Sequence, residues 1–167
     1  MVSCQERSAV LKVVLYQPQN PHNTGAIART CAMLGSELHL VRPLGFDLPN
    51  RDLRRASMDY VLDTNVTAHD SWEAFKASLS STARLWLFTD AARQTYTQVV
   101  YEADDYLVFG RESDGIPASI LETHPCLSIP MRGASGDPRT DHRFHSLNVS
   151  VSAAIALSEA LRQLHAE

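Results

Sequence analysis

The sequence predicts an α/β fold, a mostly parallel sheet with helices on both faces. Three observations lead there. Short apolar, β-branched runs alternate with stretches of helical periodicity along the chain. Several of those runs are apolar almost throughout rather than at every second position, which is the pattern of strands buried on both faces. The loops that follow them are polar or glycine-rich, and in a parallel sheet such loops gather beyond the carboxyl ends of the strands, where ligands bind. With 167 residues and no linker or low-complexity segment, one domain over residues 1–167 is expected.

The first strand is expected at residues 10–16, broken only by Lys12. Two prolines and a glycine in residues 17–25 argue against regular structure there. Asn23 or Thr24 is therefore expected to cap the first helix, in which Ile27, Cys31 and Leu34 share a face and which Gly35 ends. A second strand follows at residues 37–41, with a turn at Arg42-Pro43-Leu44-Gly45, and Asn50 is placed to cap a short helix over residues 51–56. Residues 66–69 read as a minor strand, and residues 71–79 as a helix with Trp72, Phe75 and Leu79 on one side. Buried strands are expected at residues 84–89 and 106–109, and Pro117 opens a short helix over residues 118–123. A last strand is placed at residues 126–131. After a polar loop, Ser146 and Asn148 can each satisfy free N–H groups at the start of the closing helix, an interaction worth about 1 kcal/mol. Ala153, Leu157, Ala160, Leu161 and Leu164 then form its buried stripe.

Composition narrows the function. A net charge of −4 argues against a nucleic-acid partner, because phosphate binding leaves a basic footprint. The distribution matters more than the sum. Arg51, Arg54 and Arg55 form one basic patch, and Arg132, Arg139, His142, Arg143 and His145 a second, so RNA stays compatible. Cys4, Cys31 and Cys126 are widely spaced, with no CxxC pair to suggest a disulfide framework or a thiolate zinc site. His142 and His145 lack a third ligand, so no metal is expected. No apolar run approaches the roughly 20 residues of a membrane helix. The first residues lack the apolar centre of a signal peptide, and a cytoplasmic protein is expected.

The loops constrain the chemistry further. Gly110 to Gly115 is not a phosphate loop, because Ile116-Pro117 stands where the Lys-Ser/Thr pair would follow. No GxGxxG opens the first helix, which removes a dinucleotide site and the usual Rossmann-type methyltransferase site. Gly110 and Gly115 do permit close backbone approach on either side of Glu112. Arg29 projects from a helix whose other positions are small or apolar, close to the loop at residues 17–25. Ser146, Asn148 and Ser150 place two hydroxyls and an amide at a helix mouth, suited to a polar ligand.

Three segments in order carry a family resemblance. Asn23-Thr24-Gly25 with Arg29, then Phe109-Gly110-Arg111-Glu112-Ser113-Asp114-Gly115-Ile116-Pro117, then Ser146-Leu147-Asn148-Val149-Ser150, resemble the motifs of the SPOUT (SpoU/TrmH-type) RNA ribose methyltransferases. The resemblance covers almost the whole chain. The short length, Leu15-Tyr16-Gln17-Pro18 and the segment from Leu53 to Tyr60 look most like the minimal members, which methylate the wobble nucleotide of tRNA. It departs in two places: the loop at residues 132–145 is long for a small member, and Val151 stands where many relatives place Asn.

The resemblance implies an S-adenosylmethionine cofactor, a C-terminal deep trefoil knot, and a homodimer whose two chains complete each active site. It implies 2′-O-methylation of the wobble ribose, on cytidine or modified uridine, in the tRNA anticodon loop. The rivals are the same chemistry on another RNA nucleotide, and a non-catalytic dimeric RNA-binding module. Carried across by motif, the cofactor contacts are Phe88, Thr89, Phe109, Gly110, Glu112, Gly115, Ile129, Met131, Ser146 and Leu147. The catalytic set is Asn23, Arg29, Glu112, Ser146 and Ser150. The RNA contacts are Arg29, Arg54, Arg55, Tyr60, Arg132 and Asn148. A guanidinium with a pKa above about 12 is a poor base, so Arg29 is expected to clamp the target phosphate and ribose oxygen, with Glu112 orienting Arg29 or Asn23.

Overall fold

A computed structural model of the chain describes residues 10–48, 66–131 and 146–165. Its elements are β1 (Lys12–Tyr16), α1 (Pro21–Met33), β2 (Glu37–Val41), β3 (Val66–His69), α2 (Trp72–Ala77), β4 (Leu85–Phe88), β5 (Tyr106–Phe109), α3 (Ala118–Leu121), β6 (Cys126–Leu127) and α4 (Val149–Leu164). The strands form one six-stranded sheet in the order β3-β2-β1-β5-β4-β6. Every pairing in it is parallel.

The sheet is covered on both faces, which is why β1 after Lys12 and the whole of β5 are apolar. Val13 and Leu15 face one core with Ile27, Ala28 and Cys31 of α1 and Ala153, Ala156, Leu157 and Ala160 of α4. Val14 and Tyr16 face a second core with Trp72 and Phe75 of α2 and Ile120 of α3. Phe75 is fully buried there, and truncating it to Ala would cost about 3–5 kcal/mol through lost contact and the cavity left behind. Burial also pushes the Cys31 thiol up to about 12, so this cysteine packs as an apolar group and supplies no thiolate.

Strand order reverses between β1 and β5. From β1 the chain moves outward through β2 and β3, whereas β5 borders β4 and then β6. Loops leaving the carboxyl ends of β1 and β5 diverge to opposite faces, and a crevice opens between them.

Several expected boundaries shift for identifiable reasons. Asn20, not Asn23 or Thr24, caps α1: its side chain accepts from the His22 and Asn23 amides, with Pro21 in the first turn. Gly25 therefore lies inside the helix, and Asn23 is freed from capping. Gly35, at φ 67, ends α1 as expected. The last strand keeps only Cys126–Leu127 of the expected residues 126–131. Beyond it, Ser128 bridges to Thr95, and Pro130 has no N–H to continue a ladder. Asn148 caps α4 through the Ser150 amide, while Ser146 lies outside the helix. The helix expected at residues 51–56 and the loop at residues 132–145 lie outside the described residues.

Candidate active site

Three loops build the site. The first leaves β1 with Gln17 in the left-handed region, at φ 49, its N–H donating to Val41 O at 2.9 Å. The loop after β2 supports this segment from behind: Gly45 N–H donates to Pro18 O at 2.9 Å. A Cβ on Gly45 would come within 2.7 Å of the Gln19 backbone.

The second loop leaves β5 and folds back at once. Arg111 and Gly115 exchange both backbone hydrogen bonds, at 3.1 and 2.9 Å, with Gly115 at φ 72. A Cβ on Gly110 would lie 2.2 Å from the Gly115 carbonyl carbon, so only glycine allows the turn to close. Glu112 sits at its tip. One carboxylate oxygen accepts from Gln19 N–H at 2.8 Å, and the other from Asn20 N–H and Asn23 Nδ2, both at 3.2 Å.

The third loop enters α4. Asn148 Oδ1 accepts from Ser150 N–H at 2.8 Å and Ser150 Oγ at 2.6 Å, while its Nδ2 donates to Asn23 Oδ1 at 3.0 Å. Ser150, Asn148, Asn23 and Glu112 thus form one continuous chain of hydrogen bonds, anchored in the β1 loop. Each amide uses both its ends, which fixes its orientation.

This chain borders a cavity of about 630 Å³. Its apolar wall is Phe88, Phe109, Ile129, Met131 and Leu147, and the first two rings stack at 4.7 Å with 19° between planes. Thr89, Gly110, Glu112, Gly115 and Ser146 complete the set of residues expected around the cofactor, and all of them line the cavity. Its size falls in the range of about 300–1,000 Å³ usual for small-molecule sites.

Of the residues expected to act in catalysis, Asn23, Glu112 and Ser146 border the cavity. Ser150 reaches it through Asn148. Arg29 does not border it within one chain: it is exposed on the outer side of α1, with no hydrogen-bonded or ionic partner among the described residues. Within one chain Glu112 bonds Asn23. Asn148, expected at the RNA, commits its amide to Asn23 and Ser150. Arg54, Arg55, Tyr60 and Arg132 lie outside the described residues.

Sequence reasoning missed Asn20, Asp90, Arg111 and Asp114, which also line the cavity. For Asn20 the signal was present, since an Asn directly before a Pro is a helix start. For Arg111 and Asp114 nothing in the spacing distinguished them from turn residues. No group of three or more metal-ligating side chains occurs among the described residues. No helix there is long and apolar enough to cross a membrane.

Comparison with known proteins agrees with this geometry. Residues 10–158 match the model of the SpoU rRNA Methylase family. A tRNA (cytidine(34)-2′-O)-methyltransferase of Yersinia pestis is 40% identical over 162 residues, covering 93% of this chain and 94% of the relative. A structure described as giving structural insights into the 2-OH methylation of C/U34 on tRNA superposes with a TM-score of 0.86 at 40% identity, covering 95% of this chain and 99% of that one. An AdoMet-bound rRNA methyltransferase from Sinorhizobium meliloti shares the fold, with a TM-score of 0.78 at 23% identity, covering 93% of this chain and 57% of that one. The six-stranded parallel sheet superposes on these methyltransferase structures, the family model spans most of the chain, and the chain belongs to the SpoU methylase family.

Proposed function

We propose that this protein is a tRNA methyltransferase that uses S-adenosylmethionine to methylate the ribose 2′-hydroxyl of the wobble nucleotide, cytidine or uridine, in the anticodon loop. The single observation that carries the reading is the hydrogen-bond chain Ser150–Asn148–Asn23–Glu112 at the mouth of the cavity. It joins the three family motifs in one polar centre. Relatives similar over most of the chain are named for methylation at nucleotide 34 of tRNA.

The cavity suits the cofactor. Stacked Phe88 and Phe109, with Ile129, Met131 and Leu147, offer a wall for a purine ring, and the glycine turn at Gly110 lets backbone groups approach a ligand closely. When bound there, S-adenosylmethionine supplies an electrophilic methyl group on sulfur. The protein's own contribution is mainly positional, an effect worth up to about 7–11 kcal/mol when two reactants are held in register.

Asn23 has one end of its amide on Glu112 and the other on Asn148, so it presents a rigid polar surface where a ribose would enter. Glu112 has both oxygens occupied by N–H donors, which makes it an anchor between the β1 loop and the start of α1. Arg29 acts as a clamp on the RNA phosphate and ribose oxygen. The released proton passes to phosphate, water or a neighbouring side chain.

A homodimer is part of this reading. α1 and α4 pack against each other, and their outer surface exposes Met33 at 64%, Leu34 at 41% and Val151 at 46%. Arg29 lies one helical turn before Met33, so a dimer through this surface carries Arg29 toward the partner subunit's cavity. The C-terminal trefoil knot belongs to the same reading. One loop before β5 holds both β6's continuation, through Thr95 and Ser128, and α4, through Gln163, which bonds Tyr101 N–H and Val99 O.

The test is transfer of labelled methyl from S-adenosylmethionine into bulk tRNA, followed by mapping of the modified nucleotide. Label at position 34 is expected. Label confined to ribosomal RNA refutes the wobble assignment, and no cofactor binding by calorimetry favours a non-catalytic RNA-binding module.

A further inference from the structure

We propose that Arg111 is a positioning residue for methyl transfer: its guanidinium latches the left-handed turn at Gln17 to the loop after β5, and so sets the two backbone amides that hold Glu112. The proposal rests on the methyltransferase reading for its kinetic consequence, though not for the latch itself.

The guanidinium bridges two loops more than 90 positions apart in sequence. Its Nη1 donates to Gln17 Oε1 at 3.1 Å and its Nη2 to Asp114 Oδ2 at 2.6 Å. The group lies over the Tyr16 ring, 5.7 Å from its centroid, at the last residue of β1. Only a planar fork can satisfy Gln17 and Asp114 together while stacking on an aromatic face.

What Arg111 holds is a strained turn. A non-glycine residue at φ 49 costs energy and persists only where its surroundings over-determine it. Gln17 is held by Val41 O on the backbone side and by Arg111 on the side-chain side. Two residues on, Gln19 N–H and Asn20 N–H reach Glu112, and Gln19 Oε1 accepts from Ser113 N–H at 3.1 Å. The turn at Gln17 thus decides where these amides point. Through Glu112 it decides where Asn23 sits.

The arrangement is poorly suited to stability alone. Arg111 Nε is buried and has no acceptor among the described residues, a desolvated donor that an apolar side chain would not leave behind. Its ionic partner Asp114 is 57% exposed, where an ion pair contributes little. A residue that only supported the fold would be better replaced by methionine.

That contrast sets the experiment. Arg111→Met and Gln17→Met each remove one end of the latch, and Gln17→Glu keeps an acceptor for the guanidinium. Steady-state methyl transfer, thermal melting and NMR amide exchange at Gln19 and Asn20 are measured on the full-length protein. Both Met variants are expected to lose about 10-fold or more in kcat, with KM for cofactor and RNA within about twofold, the cost of a small misplacement. Exchange at Gln19 and Asn20 should quicken, Tm of Arg111→Met should not fall, and Gln17→Glu should recover most of what Gln17→Met loses. Unchanged kcat and exchange in both Met variants would overturn the proposal. So would a loss that tracks a fall in Tm and that Gln17→Glu does not relieve. A wild-type protein that transfers no methyl would defeat the methyltransferase reading instead, with amide exchange still deciding the latch.

Discussion

Asp105 and Glu112 flank the same strand, one just before β5 and the other just after it, and each carboxylate is surrounded by N–H donors. Asp105 takes its donors from Arg84, from Trp86 Nε1 at 2.8 Å and from Glu102 N–H at 2.9 Å. Glu112 takes its donors from Gln19, Asn20 and Asn23. The difference lies in what surrounds them. Asp105 is 2% exposed, and its neighbours are strand residues and the loop that precedes them, so it fastens the amino-terminal edge of the sheet. Glu112 stands at a cavity, and its neighbours belong to the loop after β1 and the first turn of α1. A satisfied carboxylate is therefore a structural device at one end of a strand and, under the proposed function, an organising device for chemistry at the other. Access to the cavity decides which.

Substitutions can break this comparison. The largest effect is expected at the open end. Glu112→Ala should lower turnover by about 100-fold, as should Arg29→Ala, from what a positioned group contributes to a transfer step. Tm should change little, because the amides released from Glu112 meet water. Single-turnover methyl transfer alongside calorimetric melting checks both, and full turnover in either variant removes that residue from the site.

At the closed end the expectation reverses. Asp105→Ala leaves Trp86 Nε1 and part of the Arg84 guanidinium without acceptors, and should cost about 2–3 kcal/mol of stability. The folded fraction should retain wild-type turnover. Urea unfolding gives the first quantity and activity per folded molecule the second. A kinetic loss there would erase the distinction between the two ends.

Met33→Glu addresses the outer face of α1, which neither carboxylate touches. In the proposed homodimer it should shift the protein toward monomer in sedimentation velocity and lower turnover without lowering cofactor affinity. Dimer persistence with full activity would place the interface elsewhere.

The smallest effect expected is a pH dependence at the far edge of the sheet. His39 Nδ1 lies 2.9 Å from His69 Nε2, with the rings stacked, on the α2 face. Burial lowers the pKa of both, and the His69 charge lowers His39 further, against the opposing pull of Glu37. Below the ordinary value of 6.5 the unfolded chain binds more protons at these positions than the folded one, so stability falls as pH drops through that region. Unfolding midpoints from pH 8 to pH 5 should show the decline, and His39→Leu with His69→Leu should flatten it.

How far the sequence discloses this molecule depends on the range of the interaction. β2, β3 and β5 have the expected bounds; in β5 an unbroken apolar run ends at Gly110, whereas β2 and β3 carry polar residues between their apolar ones. β6 is shorter than its apolar pattern, since Pro130 cannot donate and the chain pairs instead with Thr95. The cap of α1 was legible at Asn20-Pro21 but was assigned three residues late, because two prolines made the loop look longer than it is. The motifs identified the polar residues. They did not reveal that Asn23 and Asn148, 125 positions apart, bond each other, because that contact exists only once strand order brings two loop ends together. The Arg111 bridge to Gln17 is of the same kind.

Gly45 shows how far the site extends. The residue is exposed, does not line the cavity and carries no functional group. Yet one added methyl would press on the Gln19 backbone, whose amide fixes Glu112. Under the proposed function, tolerance to mutation at this position is governed by the tolerance of the geometry around Glu112. A survey that ranks positions by burial or by distance to ligand would score it as free to vary, and an inactive Gly45→Ala variant with a normal melting curve would be its signature.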